Sequence, residues 1–240
     1  METPLQHNES KVIIAQGVRR WAVQMIVSLL LFGTFLFMIA GKLDWIAGWV
    51  YLGMNAITQF LSAIVLIPRQ AGMLAERSKV GEGTMGWDRV LAPAIMIVGT
   101  FAVLATAALD ARFEWSQALS SGLWGVAIGL AFMSQMFVLW AMDSNPFFAM
   151  TVRIQGDRGH EVTSRGPYRY IRHPGYVGSL LYTLLVPLLL RSWWTFIPAL
   201  ITIVLIVIRT RLEDQTLQRE LPGYKEYAET VRYRLIPGLW

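Results

Sequence analysis

The chain has 240 residues, of which 55% are hydrophobic and only 15% charged, and its mean hydropathy is +0.45. Soluble domains carry about 25% charged residues, so the shortfall points to lipid contact, and apolar runs recur with no soluble-looking block between them. Cysteine is absent, which excludes disulfides, a thiol nucleophile and cysteine-ligated metal or iron–sulfur centres.

Residues 1–17 are mixed and weakly patterned, a frayed or interfacial lead-in with an exposed terminal His7. Arg19 and Arg20 precede the apolar run 21–40, which has about the ~20 residues needed to cross a hydrocarbon core. A signal peptide would have a shorter apolar region ending at a small-residue cleavage site. The second span is 45–67, with Trp45, Trp49 and Tyr51 near its start as interfacial aromatics and Pro68 as its stop. A polar loop follows over 69–89, with a short surface helix at 71–77 and a turn at Gly81-Glu82-Gly83. The third span, 90–109, places Pro93 in its first turn, where a missing N–H costs little. Asp110, Arg112 and Glu114 form a short connection to the fourth span, 119–142. Its glycines at 122, 125 and 129 have the spacing by which membrane helices pack closely.

Beyond the loop 143–174, the runs 176–190 and 193–208 are separated by a break at Arg191-Ser192. Each is about 24 Å long at 1.5 Å per residue, slightly short for a full crossing. They read as two spans, or as a hairpin that partly enters the bilayer. A helical segment at 209–220, a break at Pro222-Gly223 and a short helix at about 223–231 complete the chain. The fold class is therefore an all-α integral membrane protein of about six transmembrane helices, with five as the alternative. It is one domain over 1–240, made of a four-helix part (1–142) and a part (143–240) whose loop and C-terminal segment form a site.

Charge supports six. With six spans, 18 of the 21 Lys and Arg residues share a side with both termini and the 143–174 loop; Lys42, Arg112 and Arg191 face the other. The positive-inside rule makes the richer side cytoplasmic. Five spans would put the C-terminal segment opposite the central loop.

The loop residues 160–178 read HEVTSRGPYRYIRHPGYVG. Gly166-Pro167-Tyr168 is a turn signature, and Pro174 suits the first position of a helix whose free N–H groups attract anions. Gly175 and Gly178 permit close backbone approach, and Tyr168, Tyr170 and Tyr176 offer flat surfaces. Taken singly, Arg153, Arg158, Arg165, Arg169 and Arg172 also fit a basic loop facing lipid headgroups. Arg209 and Glu213 stand four apart on one helix face, as an ordinary salt bridge or as a site pair, while Asp214 points elsewhere. His160-Glu161 lacks a second histidine at metalloprotease spacing, and three histidines in the whole chain argue against a metal site. Neither a GxSxG elbow nor a GxGxxG phosphate loop occurs.

At these residues the chain resembles the isoprenylcysteine carboxyl methyltransferase family and its phospholipid-methyltransferase relatives. The resemblance is carried by His160 through GPYRYIRHPGYVG, then by Arg209, Glu213, Asp214 and Leu217 in R-x-x-x-E-D-x-x-L, and by the tail ending at Ile236-Pro237. LAER (74–77) and WDR (87–89) resemble the prokaryotic branch. The resemblance implies S-adenosylmethionine as methyl donor, S-adenosylhomocysteine as product, and a lipophilic or prenylated acceptor drawn from the membrane, with no nucleic-acid partner. Carried over by motif position, His160, Glu161, Val162, Thr163, Tyr168, His173, Pro174, Gly175, Tyr176 and Glu213 hold the cofactor, and Arg209 stands at the substrate. Asp214 stands where the family commonly has a second glutamate. Carboxyl O-methylation comes first among the implied activities, with phospholipid N-methylation as alternative. Sterol-reductase-type membrane enzymes, which use NADPH, carry a similar Arg-His-Pro-x-Tyr element, and a non-catalytic scaffold is the third reading.

Overall fold

In the computed structural model, which describes residues 4–79, 83–117 and 119–240 (side chains from residue 11 on), every regular element is helical. In chain order these are α1 (Pro4–Ala40), α2 (Ile46–Arg77), α3 (Asp88–Met96), α4 (Val103–Phe113), α5 (Ser121–Ser144), α6 (Pro174–Leu189), α7 (Phe196–Glu220) and α8 (Tyr224–Thr230). A π-helical stretch, Ile97–Ala102, joins α3 to α4 without a break. The side chain of His7 lies outside the described residues, as do positions 81 and 82 of the expected turn; Gly83 adopts φ +70°.

Four helical stretches are long and apolar enough to cross a membrane: Lys11–Ala40, Ile46–Arg77, Asp88–Phe113 and Ser121–Ser144. They form an integral membrane body. Their outward faces carry large apolar side chains such as Met38 (74% exposed) and Phe60 (66%), a surface that in water would be a sticky patch far larger than soluble proteins tolerate. Against lipid tails those side chains gain little by hiding, so helix contacts rest on close packing instead. The main core gathers Leu36, Met54, Leu104, Ala107, Ala131 and Leu189 from five helices.

Several expectations about breaks and packing do not hold. Pro68 does not stop α2: the helix runs on to Arg77 through a kink whose non-helical residue is Gln70 (φ −134°, ψ 33°), because one lost hydrogen bond bends a long helix before it ends it. Pro93 lies in the sixth position of α3, beyond the first turn. The chain from Phe196 to Glu220 is one unbroken helix, so the apolar run and the charged segment after it are a single rod. Gly122, Gly125 and Gly129 face open space rather than a neighbouring helix. The close approach falls instead at Gly178 of α6, where a Cβ would lie 2.6 Å from Val138 Cγ2 and 2.9 Å from the Ser134 carbonyl of α5.

The helices sort the chain's charges by end. Arg112 reaches the Ile39 carbonyl, Arg191 reaches the Leu119 carbonyl, and buried Asp110 accepts from Ser116 and Ser192. Around them Phe113 stacks on Trp115, which meets Trp194 edge-on, an aromatic girdle of the interfacial kind. At the opposite end the loop 145–173, the start of α6, the charged half of α7 and α8 fold over one another.

Candidate active site

The site begins with a staple. Asp214 is fully buried, and Arg172 grips it bidentately, Nε to Oδ1 at 2.7 Å and Nη2 to Oδ2 at 3.2 Å. Arg234 Nε (2.8 Å) and Gln218 Nε2 (2.7 Å) donate to Oδ2, and His173 Nε2 lies 3.3 Å from Oδ1. Burial alone would raise the Asp214 pKa, but His173, Arg172 and Arg234 hold it well below the usual carboxylate range. The other nitrogen of Arg172, Nη1, donates to the carbonyls of Val231 (2.8 Å) and Arg232 (2.9 Å). Backbone N–H groups of Arg172 and His173 donate to Tyr233 and Arg234 carbonyls. The tail is thereby sewn to the start of α6. Asp214 points away from the cavity, as expected, and is the hub that closes the pocket from behind.

In front of the staple lies a cavity of about 260 Å³. Of the residues singled out from sequence, His160, Glu161, Val162, Thr163, Tyr168, His173, Gly175, Tyr176, Arg209 and Glu213 all line it. Pro174 does not. It is the buried first residue of α6, setting the direction of the helix with a ring that needs no N–H there. Gly175 is required by proximity, since a Cβ would fall 2.5 Å from the Phe148 ring.

Each wall is fixed by its own bonds. His160 packs on Phe147 at 4.5 Å between ring centroids, and its Nδ1 accepts from the Gln155 N–H. Burial, then the nearby Arg158 and Arg153 guanidiniums, lowers the His160 pKa to about 4, so the imidazole is neutral at physiological pH. Tyr168 is buried: its hydroxyl faces Asn145 Nδ2, and its carbonyl accepts from Tyr227 Oη at 2.7 Å. Tyr176 donates its hydroxyl to Glu213 Oε2. Arg209 and Glu213 share a helix face but form no ion pair with each other. Arg209 is held instead by Asp88, Nε to Oδ1 at 2.8 Å and Nη2 to Oδ2 at 2.9 Å, and Nη2 also reaches the Met150 carbonyl at 2.8 Å. Its guanidinium lies 5.7 Å from the centroid of Tyr176.

Residues 123–222 match the family model described as phospholipid methyltransferase. Over that stretch the chain is similar to the phospholipid methyltransferase family. The matched stretch runs from α5 to the end of α7 and contains all eleven residues singled out from the sequence, although it is less than half of the chain. An uncharacterized protein of Bacillus subtilis (strain 168), YpbQ, is 33% identical over 97 residues. That similarity covers 40% of this chain and 57% of YpbQ, so the chain spans somewhat over half the length of that relative.

The matched stretch does not build the site alone. Asp88, fully buried at the start of α3, and Arg77, at the end of α2, come from outside it, and Glu76 holds the cavity-lining Arg153. The tripeptide WDR and the run LAER, noticed as resemblances, are where these residues sit. A lone acidic residue at a helix start also reads as a response to the helix dipole, and only the fold shows that its partner is 121 residues away. Within the stretch, Asn145, Phe147 and Phe148 line the cavity with no motif to announce them.

Proposed function

We propose that this protein is an integral membrane methyltransferase that uses S-adenosylmethionine and methylates a lipophilic acceptor, with a carboxylate oxygen as the acceptor atom. The observation that carries this is a cavity, lined mostly by the stretch similar to phospholipid methyltransferases, that joins an acidic and aromatic wall to an anchored guanidinium. Glu161 and Glu213 have no cationic partner among the described residues, and Tyr168, Tyr176 and Phe147 add flat faces. This wall suits a ligand that combines a cationic amino group and sulfonium with a planar base, so the residues present fit the cofactor. His160, Glu161, Val162, Thr163, Tyr168, His173, Gly175, Tyr176 and Glu213 would hold it, with Pro174 setting the frame.

Bound there, S-adenosylmethionine supplies a methyl group already activated by its sulfonium, so the protein's task is alignment and exclusion of water. Arg209 orients the acceptor carboxylate through the guanidinium edge that Asp88 leaves uncovered. A carboxylate is nucleophilic as it stands, so an acceptor held by Arg209 would need neither a general base nor a proton transfer from the protein. Tyr176 fixes Glu213, and Phe148 and Met150 keep water from the acceptor side. A second reading, N-methylation of a phospholipid amine, is favoured by the description of the matching family. It requires that the amine lose a proton, to Glu213, His173 or water.

The proposal includes six crossings, with α6 and the apolar half of α7 as the fifth and sixth, and both termini in the cytoplasm. The basic residues gathered at the cavity end support that orientation. It also treats the whole chain as one catalytic unit. Incubation with methyl-labelled S-adenosylmethionine and a membrane lipid extract, followed by base treatment, tests the reading. Base-labile label supports an ester and stable label an amine; absence of transfer contradicts both. Competition between S-adenosylhomocysteine and NADPH for the purified protein excludes or restores a reductase.

A further inference from the structure

Among the described residues, Arg77 is the one cavity-lining arginine without a carboxylate partner. Arg153 pairs with Glu76 and Asp157, Arg172 with Asp214, and Arg209 with Asp88. No carboxylate among the described residues lies within ion-pair distance of Arg77. Its Nε is shut off from solvent and has no hydrogen-bond partner. Its Nη2 meets only the thioether of Met150, at 2.9 Å, and thioether sulfur is a weak acceptor. Buried donors are nearly always satisfied, and a charged one left bare is costly.

The guanidinium is also placed beside a second one. Arg77 touches the Met150 side chain and Arg209 touches the Met150 carbonyl, so one residue separates the two cations. Phe148 lies under Arg77 at 5.3 Å and Tyr176 under Arg209 at 5.7 Å, which holds both planes in place. Asp88 answers the charge of Arg209 but not that of Arg77, so a second anion between the two guanidiniums would be favourably placed. The acidic groups nearby are committed: Asp88 to Arg209 and the Val152 N–H, Glu213 to Tyr176.

We infer that Arg77 is a specificity residue, which together with Arg209 clamps an anionic group of the acceptor, a carboxylate or a phosphate, at the Met150 end of the cavity. This rests on the methyltransferase reading and adds to it a requirement on the acceptor: a lipid-like tail is not enough without a negative charge at its head. Arg77 lies outside the stretch that matches the family, on a different helix from Arg209. A guanidinium delivers two parallel donors to a carboxylate or phosphate, which lysine cannot copy.

The test measures binding, apart from turnover, on the full protein in neutral detergent. Octanoate and octyl phosphate are the anionic probes, octanol the neutral control, and S-adenosylhomocysteine the control for the intact cofactor wall. The wild-type protein is expected to be stabilised thermally by at least one anionic probe and not by octanol. R77M is expected to lose about tenfold or more in affinity for that probe and R77K to fall between, both keeping S-adenosylhomocysteine affinity within about twofold. A preference for octanoate assigns a carboxylate, and a preference for octyl phosphate assigns a phospholipid head. Equal binding of octanol and the anions, or an R77M that binds the anionic probe as tightly as wild type, overturns the inference and leaves Arg77 as a cation at a helix C-terminus. Failure of S-adenosylhomocysteine to bind folded wild type contradicts the methyltransferase reading, while the probe series still decides whether the two arginines hold an anion.

Discussion

Asp214 and Asp88 are both fully buried and both grip an arginine bidentately, yet they do different work. Around Asp214 the charges are closed on themselves: Arg172, Arg234, His173 and Gln218 surround it, and Arg172 spends its remaining donors on tail carbonyls. Around Asp88 the arrangement stays open, because Arg209 faces the cavity while its back edge is held. The first arrangement builds a wall and the second aims a cation. Both arginines line the cavity, and what separates them is that Arg172 has committed Nε, Nη1 and Nη2 to protein acceptors whereas Arg209 keeps Nη1 without a protein partner among the described residues.

The largest expected effect is on the closed side. Arg172→Ala leaves a buried Asp214 short of its main partner and strips donors from two close tail carbonyls, a loss of about 3–5 kcal/mol. Thermal unfolding in detergent should fall steeply, and S-adenosylhomocysteine binding should vanish with it. If the variant keeps wild-type stability, the staple is not what holds the tail. On the open side, Asp88→Asn removes the anchoring charge but keeps an amide oxygen for hydrogen bonding. Methyl transfer should drop by about 10–100-fold, with cofactor affinity little changed. Arg209→Ala should abolish transfer, but it also strands the Asp88 carboxylate. Pairing it with Asp88→Asn separates lost chemistry from lost stability: the double variant should regain stability and stay inactive.

How far the sequence revealed this contrast depends on which residue is considered. The four long spans and the pairing of loop with tail follow from apolar run length and the bias of Lys and Arg, signals that are local or summed over the chain. Ten of the eleven singled-out residues line one cavity because a motif keeps its members together on one loop and one helix. Asp88 and Arg77 are not legible because helix periodicity says which residues share a face, not which distant face they meet, and Phe148 sits in the loop after α5 with no motif around it. Asp214, one residue past Glu213 on α7, points away from the cavity as helix geometry predicts, but the distant arginines that meet it there are not legible from the helix alone. Pro68 and the glycines of α5 were misread through rules with more than one outcome. A proline can bend a long helix instead of ending it, and small-residue spacing also occurs on a face that no neighbouring helix meets.

Those glycines give the next test. Gly178→Ala drives a methyl group into Val138 and the Ser134 carbonyl and should cost about 1–3 kcal/mol. Gly125→Ala meets nothing and should be neutral or slightly stabilising through helix propensity. Equal effects in thermal unfolding contradict the packing described for α5 and α6. The smallest effect concerns pH. With the folded pKa of His160 lowered from 6.5 to about 4, the unfolded chain takes up a proton before the folded one does. Its contribution to stability is therefore constant above pH 6.5, is lost progressively as pH falls toward 4, and is level below that. His160→Gln should flatten that part of the stability–pH curve; an unchanged slope would remove His160 from the titration.

The central claim is that the cavity in front of the Asp214 staple is a cofactor pocket. Calorimetric titration of S-adenosylhomocysteine into the folded, detergent-solubilised protein tests it most directly. A saturable, one-to-one binding heat, weakened by Glu213→Gln and retained in Asp88→Asn, is the predicted result. No binding heat from folded wild-type protein would contradict it.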